Sequence, residues 1–310
     1  MLKKYLRIGK CCYFVIVTVF FISVCSCITR PVNTDSTHAV IRAFHDQPEN
    51  SFDVIGYGSS HMWRGFDPSV LNEKYGLKAF NYGGNWQHIN TTRLFMEDSF
   101  KTQNPKVALI DTYRAHSLLK NVDLDGEIYY TRYLGNSSTK LEYLRQCFGN
   151  HIYRYLEYYF PFAVFHNNWK NIEEDSFHSI DSRVEKLKAS YGYVRMEGAD
   201  EIELLEPEEE EELPDDAVEE LDKIVEACRQ RNIKIVFYTA PYKGPYLYGH
   251  AMQKYAAENQ CFYINLFDHL DEIGINVKED FHDNGHLNNS GAQKVTDYLG
   301  SFLTTEVLPD

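Results

Sequence analysis

The chain has 310 residues, 44% of them hydrophobic and 15% aromatic, which is enough for one large α/β domain plus a membrane segment and too apolar for a disordered chain. The formal charge is −14, and because residues 1–30 hold five basic residues (Lys3, Lys4, Arg7, Lys10, Arg30) and no acids, the remainder carries −19. Such an acidic body repels phosphate backbones, so no nucleic-acid partner is expected, and anionic headgroups repel it outside its anchor.

At the N-terminus, Lys3, Lys4, Arg7 and Lys10 flank the eighteen uncharged residues Cys11 to Ile28. That run is at the short end for a transmembrane helix and longer than the usual signal-peptide core. Basic residues on its N-terminal side hold that end in the cytoplasm and place the body outside, so the chain is expected to be extracytoplasmic and tethered through residues 11–28. Two versions fit: an uncleaved signal anchor, or a lipoprotein signal in which Val24-Cys25-Ser26-Cys27 is a poor lipobox and Cys27 is acylated. Four of the seven cysteines lie in this segment. The body keeps Cys147, Cys228 and Cys261, with no CxxC or metal-type spacing, so at most one disulfide is expected.

Residues 31–50 are polar, contain Pro31 and Pro48, and read as a linker with a short helix at His38–Phe44. From 51 onward strand and helix patterns alternate. Phe52–Tyr57 reads as a strand, Pro68–Tyr75 as a helix with proline in its first turn, Lys78–Asn81 as a strand, Asn90–Lys101 as an amphipathic helix and Lys106–Asp111 as a buried strand. Further on, Asp215–Arg231 reads as a helix with Val218, Leu221, Ile224, Val225 and Cys228 at helical spacing. Ile233–Ala240 reads as a buried strand, His250–Asn259 as a helix, Cys261–Phe267 as a strand and Ser290–Leu303 as a final helix with Ser290 at its N-cap. This alternation implies an α/β fold with a parallel sheet covered on both faces. The domain then spans 51–310.

An insertion at about 115–213 interrupts the rhythm. It is rich in aromatics: Tyr129, Tyr130, Tyr133, Tyr143, Tyr153, Tyr155, Tyr158, Tyr159, Phe160, Phe162, Phe165 and Trp169. They fit an aromatic mini-core, or a lid or groove floor that stacks sugar rings. Glu206 to Glu212 reads as a solvated acidic connector, with a cation site as the alternative.

Three short clusters carry candidate chemistry. In a doubly wound sheet, ligands bind beyond the carboxyl ends of the strands. Gly58-Ser59-Ser60 follows the first strand, where glycine permits a sharp turn and Ser60 can be presented as a nucleophile. An ordinary strand-to-helix turn has the same composition. Asn81-Tyr82-Gly83-Gly84 follows the second strand, and the Gly83 N–H is a candidate donor to an oxyanion. Asp283-Asn284-Gly285-His286 precedes the last helix. His286 can take a serine proton while Asp283 orients the ring. The same loop also fits a helix cap, or a metal site built from His282, Asp283 and His286.

Together these residues resemble the SGNH/GDSL hydrolase superfamily. Gly58-Ser59-Ser60 is similar to its Gly-Asp-Ser block, with Ser59 in place of the aspartate. Asn81-Tyr82-Gly83 is similar to its Asn-x-Gly block, and Asp283-x-x-His286 to its Asp-x-x-His block. The continuation His286-Leu287-Asn288 to Gly291-Ala292 resembles bacterial cell-envelope members. The similarity spans residues 52–303 apart from the insertion. It implies a three-layer, flavodoxin-like fold and ester hydrolysis or acyl transfer, most often of O-acetyl groups on carbohydrates. It implies Ser60 as nucleophile, His286 as base, Asp283 as its orienting partner, and the Ser60 and Gly83 N–H groups as oxyanion donors, with no cofactor and no metal. An acylated envelope carbohydrate or small ester is the expected substrate, and a membrane acyltransferase an expected partner. One departure stands out. The family's third block places an Asn after strand three, whereas this chain runs Asp111-Thr112-Tyr113-Arg114, so Tyr113 or Arg114 would have to supply the missing donor. The alternative is a non-catalytic carbohydrate-binding or assembly subunit that keeps the fold.

Overall fold

The computed structural model describes residues 2–29, 36–122, 126–171, 181–205 and 210–309. Its strands are β1 (Val54–Tyr57), β2 (Ala79–Asn81), β3 (Val107–Asp111), β4 (Lys234–Thr239) and β5 (Phe262–Asn265). All pair in parallel, in the order β2-β1-β3-β4-β5. This is the doubly wound order of flavodoxin-like sheets, whose switch point lies between β1 and β3. Parallel strands covered on both faces read as continuous apolar runs, and Val54–Tyr57 and Val107–Asp111 are buried throughout.

In chain order the helices are α1 (Leu2–Ile28), α2 (Ser36–His45), α3 (Ser60–Gly65), α4 (Pro68–Tyr75), α5 (Ile89–Ser99), α6 (Gly126–Tyr130), α7 (Ser138–Phe148) and α8 (Ile152–Tyr159). They continue as α9 (Phe162–Phe165), α10 (Asp181–Ala189), α11 (Asp215–Arg229), α12 (Gly249–Glu258), α13 (Leu270–Ile273) and α14 (Asn289–Phe302). One core cluster includes Ile55, Phe80, Ile110, Phe237 and residues of α2, α5, α7 and α11. A second includes Val54, Leu109, Val236 and residues of α4 and α14. The sheet thus separates two apolar layers, as the strand–helix alternation implies.

The helix boundaries follow local chemistry. The Asp67 side chain caps α4, Pro68 opens it, and Gly76 closes it in the left-handed region. At α14 the cap is Asn288 rather than Ser290. Its Oδ1 accepts the Ser290 and Gly291 N–H groups at 3.0 and 3.2 Å, while its Nδ2 donates to the carbonyls of Gly198 and Glu279. A longer amide reaches in both directions where a serine hydroxyl would not.

Part of the segment expected as a linker is instead core. Ala39, Val40, Ile41, Ala43 and Phe44 of α2 are buried, and Phe44 stacks on Tyr82 with ring centroids 4.1 Å apart. The polar residues around this helix mask its apolar stripe in composition. Arg93 on α5 is also buried, and it bonds Glu220 of α11 at 2.6 Å, with Glu97 and Glu142 also in reach. Cys147, Cys228 and Cys261 are free thiols.

The aromatic insertion divides into two populations. Tyr129, Tyr130, Tyr143 and Tyr158 are buried in the first core cluster, and Tyr133, Tyr155 and Phe165 pack against it. Tyr153, Tyr159, Phe160 and Trp169 are exposed. Of the acidic connector, residues 206–209 lie outside the described residues, as does the Cys27 side chain.

Candidate active site

The first turn after β1 is built for close approach. Gly58 has φ +138°, and a Cβ there would meet the Asp111 Cβ at 2.7 Å, so only glycine fits. Its N–H donates to Gln87 Oε1 at 2.9 Å. Ser59 is the N-cap of α3, and its Oγ accepts the His61 N–H at 3.2 Å. The same hydroxyl donates to Asp111 Oδ2 at 2.6 Å, and the Ser59 N–H donates to that oxygen at 3.0 Å. Asp111 Oδ1 accepts the Tyr113 N–H at 3.0 Å. Burial pushes the Asp111 carboxyl up to about 6, against the opposing effect of its Ser59 and Tyr113 bonds and of Arg114. A carboxylate from β3 therefore braces the turn that ends in Ser60.

The loop before α14 supplies the other half. Phe281 and Leu287 pair as an isolated antiparallel bridge, and the His282 N–H donates to the His286 carbonyl at 2.8 Å. These backbone bonds close the loop on itself. The Asn284 carbonyl accepts the Lys243 N–H at 2.9 Å, which ties the loop to the segment after β4. The Gly285 N–H donates to Asp283 Oδ1 at 2.7 Å.

Ser60, His286 and Asp283 meet at this junction. His286 Nε2 lies 2.8 Å from Ser60 Oγ, and His286 Nδ1 lies 2.9 and 3.0 Å from the two oxygens of Asp283. An ionised carboxylate only accepts, so Nδ1 carries the proton and the Nε2 lone pair faces the serine hydroxyl. Burial lowers the pKa of His286; Asp283 works to raise it and the Arg64 charge to lower it further. For Asp283, burial acts upward, but the bonds from His286 and the Gly285 N–H outweigh it and hold the carboxyl below its usual range. Arg64 Nη1 is 3.4 Å from His286 Nδ1. With the Nδ1 proton directed at Asp283, this guanidinium is an electrostatic neighbour of the pair.

The remaining expected residues fall out differently. The Gly83 N–H is donated to Asn81 Oδ1 at 3.1 Å, and a Cβ on Gly83 would meet Met62 Cγ and Trp63 N at 2.9 Å each. Gly83 is needed for packing beneath α3, and the donor assigned to it from the sequence is already engaged. Tyr113 stacks on His61, with ring centroids 3.8 Å apart. The Arg114 guanidinium lies 4.6 Å from the Trp86 ring centroid and 5.3 Å from that of Tyr113. Its Nε is buried without a hydrogen-bond partner among the described residues. His282 Nδ1 turns to the Glu197 carbonyl at 2.6 Å. Among the described residues no three His, Cys, Asp or Glu side chains converge as a metal site would need, so the metal alternative for this loop finds no ligand set there.

Sequence reasoning missed His61, Arg64, Tyr242 and Trp86. The His61 ring is buried and 5.6 Å from that of His286, and Tyr242 packs edge-on to it at 5.0 Å. Burial pushes the His61 imidazole well below its ordinary value, and His286 and Arg114 act in the same direction, so it is neutral near pH 7. Its adjacency to Ser60 was the available signal. Trp86 had none: it holds φ +66°, an uncommon conformation for so bulky a residue, and its half-exposed ring covers Arg114.

No protein-family model matches the chain, and no curated protein matches it. Among solved structures, it is similar to a candidate acylhydrolase of Bacteroides fragilis, at 9% identity and a TM-score of 0.39, over 84% of this chain and 91% of the other.

Proposed function

We propose that the chain is an extracytoplasmic, membrane-tethered serine esterase or O-acyltransferase of the SGNH type, acting on an acylated envelope carbohydrate through an acyl-Ser60 intermediate. The observation that supports it is the unbroken hydrogen-bonded series Ser60–His286–Asp283, assembled from residues 226 positions apart. In the proposed reaction, Ser60 Oγ attacks the ester carbonyl as its proton passes to His286 Nε2. Asp283 holds the ring in the productive tautomer and stabilises the imidazolium. The carbonyl oxygen becomes an oxyanion, received by the Ser60 N–H and the Arg114 guanidinium. Arg114 is preferred over Tyr113 because it carries a full positive charge and its Nε has no hydrogen-bond partner among the described residues. Collapse expels the alcohol, which takes the proton back from His286. Water then releases the acid, or an acceptor hydroxyl takes the acyl group.

The test is covalent labelling. A fluorophosphonate probe should modify the wild-type chain and fail to modify Ser60→Ala, and an unlabelled, folded wild type would overturn the serine mechanism. The second reading, a non-catalytic carbohydrate-binding or assembly subunit, is favoured by the engaged Gly83 N–H and the absent third-block Asn. It expects no labelling but retained glycan binding.

The pH profile is a separate expectation. His286 must be neutral to accept the proton, and its pKa in the fold is lowered from 6.5. The rising limb of kcat/KM on an activated acetate ester should therefore have its midpoint below pH 6.5, with activity maintained above it. A midpoint above 6.5 would contradict His286 as the base.

A further inference from the structure

The exposed half of the aromatic insertion has a one-sided pattern. On α8, Ile152, Tyr153, Leu156, Tyr159 and the following Phe160 are spaced i, i+1, i+4, i+7 and i+8, which is one face of a helix. They are 39–77% exposed. The opposite side of α8 is spent on the core, where Phe148 meets Tyr155 and Tyr158 edge-on. Val164 and Trp169 extend the exposed surface, and Trp169 is 61% exposed. Soluble surfaces rarely carry so many large apolar groups together.

The position of this surface identifies its occupant. The apolar stretch Arg7–Ser26 of α1 is 20 residues, long enough to cross a bilayer's hydrocarbon core. The end of α1 is bound into the insertion: Ser26 Oγ accepts the Phe162 N–H at 3.2 Å, and the Thr29 carbonyl accepts from Asn168 Nδ2 at 3.0 Å. Thr29 is buried there. The contacts fall at the last residues of the span, the level at which lipid headgroups begin. Tyrosine and tryptophan are enriched at that level because their rings are apolar and their polar atoms reach water.

We infer that α8, α9 and the turn through Trp169 form a membrane-surface platform, with Ile152, Tyr153, Leu156, Tyr159, Phe160 and Trp169 embedded in the headgroup–acyl boundary of the bilayer that α1 crosses. The platform fixes the tilt of the domain on its tether, since two attachments restrict a body more than one does. This inference rests on the reading of α1 as a retained span.

The full chain, reconstituted in phosphatidylcholine vesicles with bromines at shallow or deep acyl positions, provides the test. Alkaline extraction comes first. A chain released from the vesicles overturns both the retained span and the platform. For an embedded chain, shallow bromines should quench tryptophan emission in the wild type and much less in Trp169→Phe. Trp169 is one of three tryptophans, so the quenchable share is up to about a third of the total. A second variant, Tyr153→Glu with Leu156→Glu, should reduce that share while fluorophosphonate labelling is unchanged, which reports an intact fold. Equal emission with brominated and plain lipid, in an embedded chain, overturns the platform and leaves the span standing. Quenching in vesicles of lipid alone distinguishes lipid from a protein partner as the occupant.

Discussion

Replacing His286 with alanine should lower turnover of an activated ester on the order of 10³–10⁶-fold while leaving the fold intact. The expected size comes from the two tasks of the ring, removing the serine proton and returning it to the leaving alcohol. Without it, Ser60 Oγ loses its acceptor at 2.8 Å. Asp283→Asn should also give a large loss, on the order of 10⁴-fold, because an amide can donate to Nδ1 and so favours the wrong tautomer. Fold retention is expected because the loop is closed by main-chain bonds, His282 N–H to the His286 carbonyl and Phe281 opposite Leu287, which the substitution does not touch. Steady-state kinetics with a matching circular dichroism spectrum check both halves. Activity within a few-fold of wild type would remove His286 from the mechanism.

The second large effect is expected at Asp111, which acts through Ser59 and so positions the nucleophile without touching substrate. Its carboxyl accepts the Ser59 hydroxyl, the Ser59 N–H and the Tyr113 N–H, all in a buried setting. Alanine there leaves three donors without an acceptor, at roughly 1–3 kcal/mol each and with partial relief by water, so Asp111→Ala should destabilise the domain by about 3–5 kcal/mol. Denaturant titration reads this as a lower midpoint with an unchanged slope. Asp111→Asn keeps one acceptor oxygen, which can serve the Ser59 hydroxyl and N–H while the Tyr113 N–H loses its acceptor, and should recover part of the loss. The pH dependence has a definite sign. The folded carboxyl is raised to about 6 from 3.8, so the folded state binds more protons than the unfolded state between those values. Stability attributable to Asp111 should therefore be greatest at the acid end and fall as pH rises from about 4 to 6. Wild type compared with Asp111→Asn across that window isolates the term, and a difference that grows with pH would reverse the assignment. A positioning role also predicts that Asp111→Asn lowers kcat more than it changes KM.

Much of the fold is legible in local pattern. Val54–Tyr57 and Val107–Asp111 are apolar without alternation because each strand has a layer on both faces. Pro68 and Gly76 bracket a helix through their own backbone preferences. Ser60, Asp283 and His286 could be named because each sits in a short polar turn beside glycine, directly after a strand or before a helix. Other features were not legible for physical reasons. The α3 turn is only six residues long, too short to show a period. Helix α2 was expected, but its place in the core was hidden by polar flanks, and the cap of α14 was displaced by two residues because Asn288 can both accept and donate.

The amino-acid sequence by itself determined the alternation of elements, hence the α/β class and the parallel sheet, the apolar segment at the N-terminus, and the residue types available for acid–base and nucleophilic chemistry. These follow from hydrophobic period, turn preference and side-chain chemistry, which act over a few residues. Only the tertiary structure decided that Asp111 braces Ser59 from 52 positions away, that the Gly83 N–H is taken by Asn81, and that Arg114 lies between Trp86 and Tyr113. It also sorted the insertion's aromatics into a buried set and an exposed set beside the end of α1. Those outcomes depend on strand order and on which faces pack together, and no local pattern encodes them.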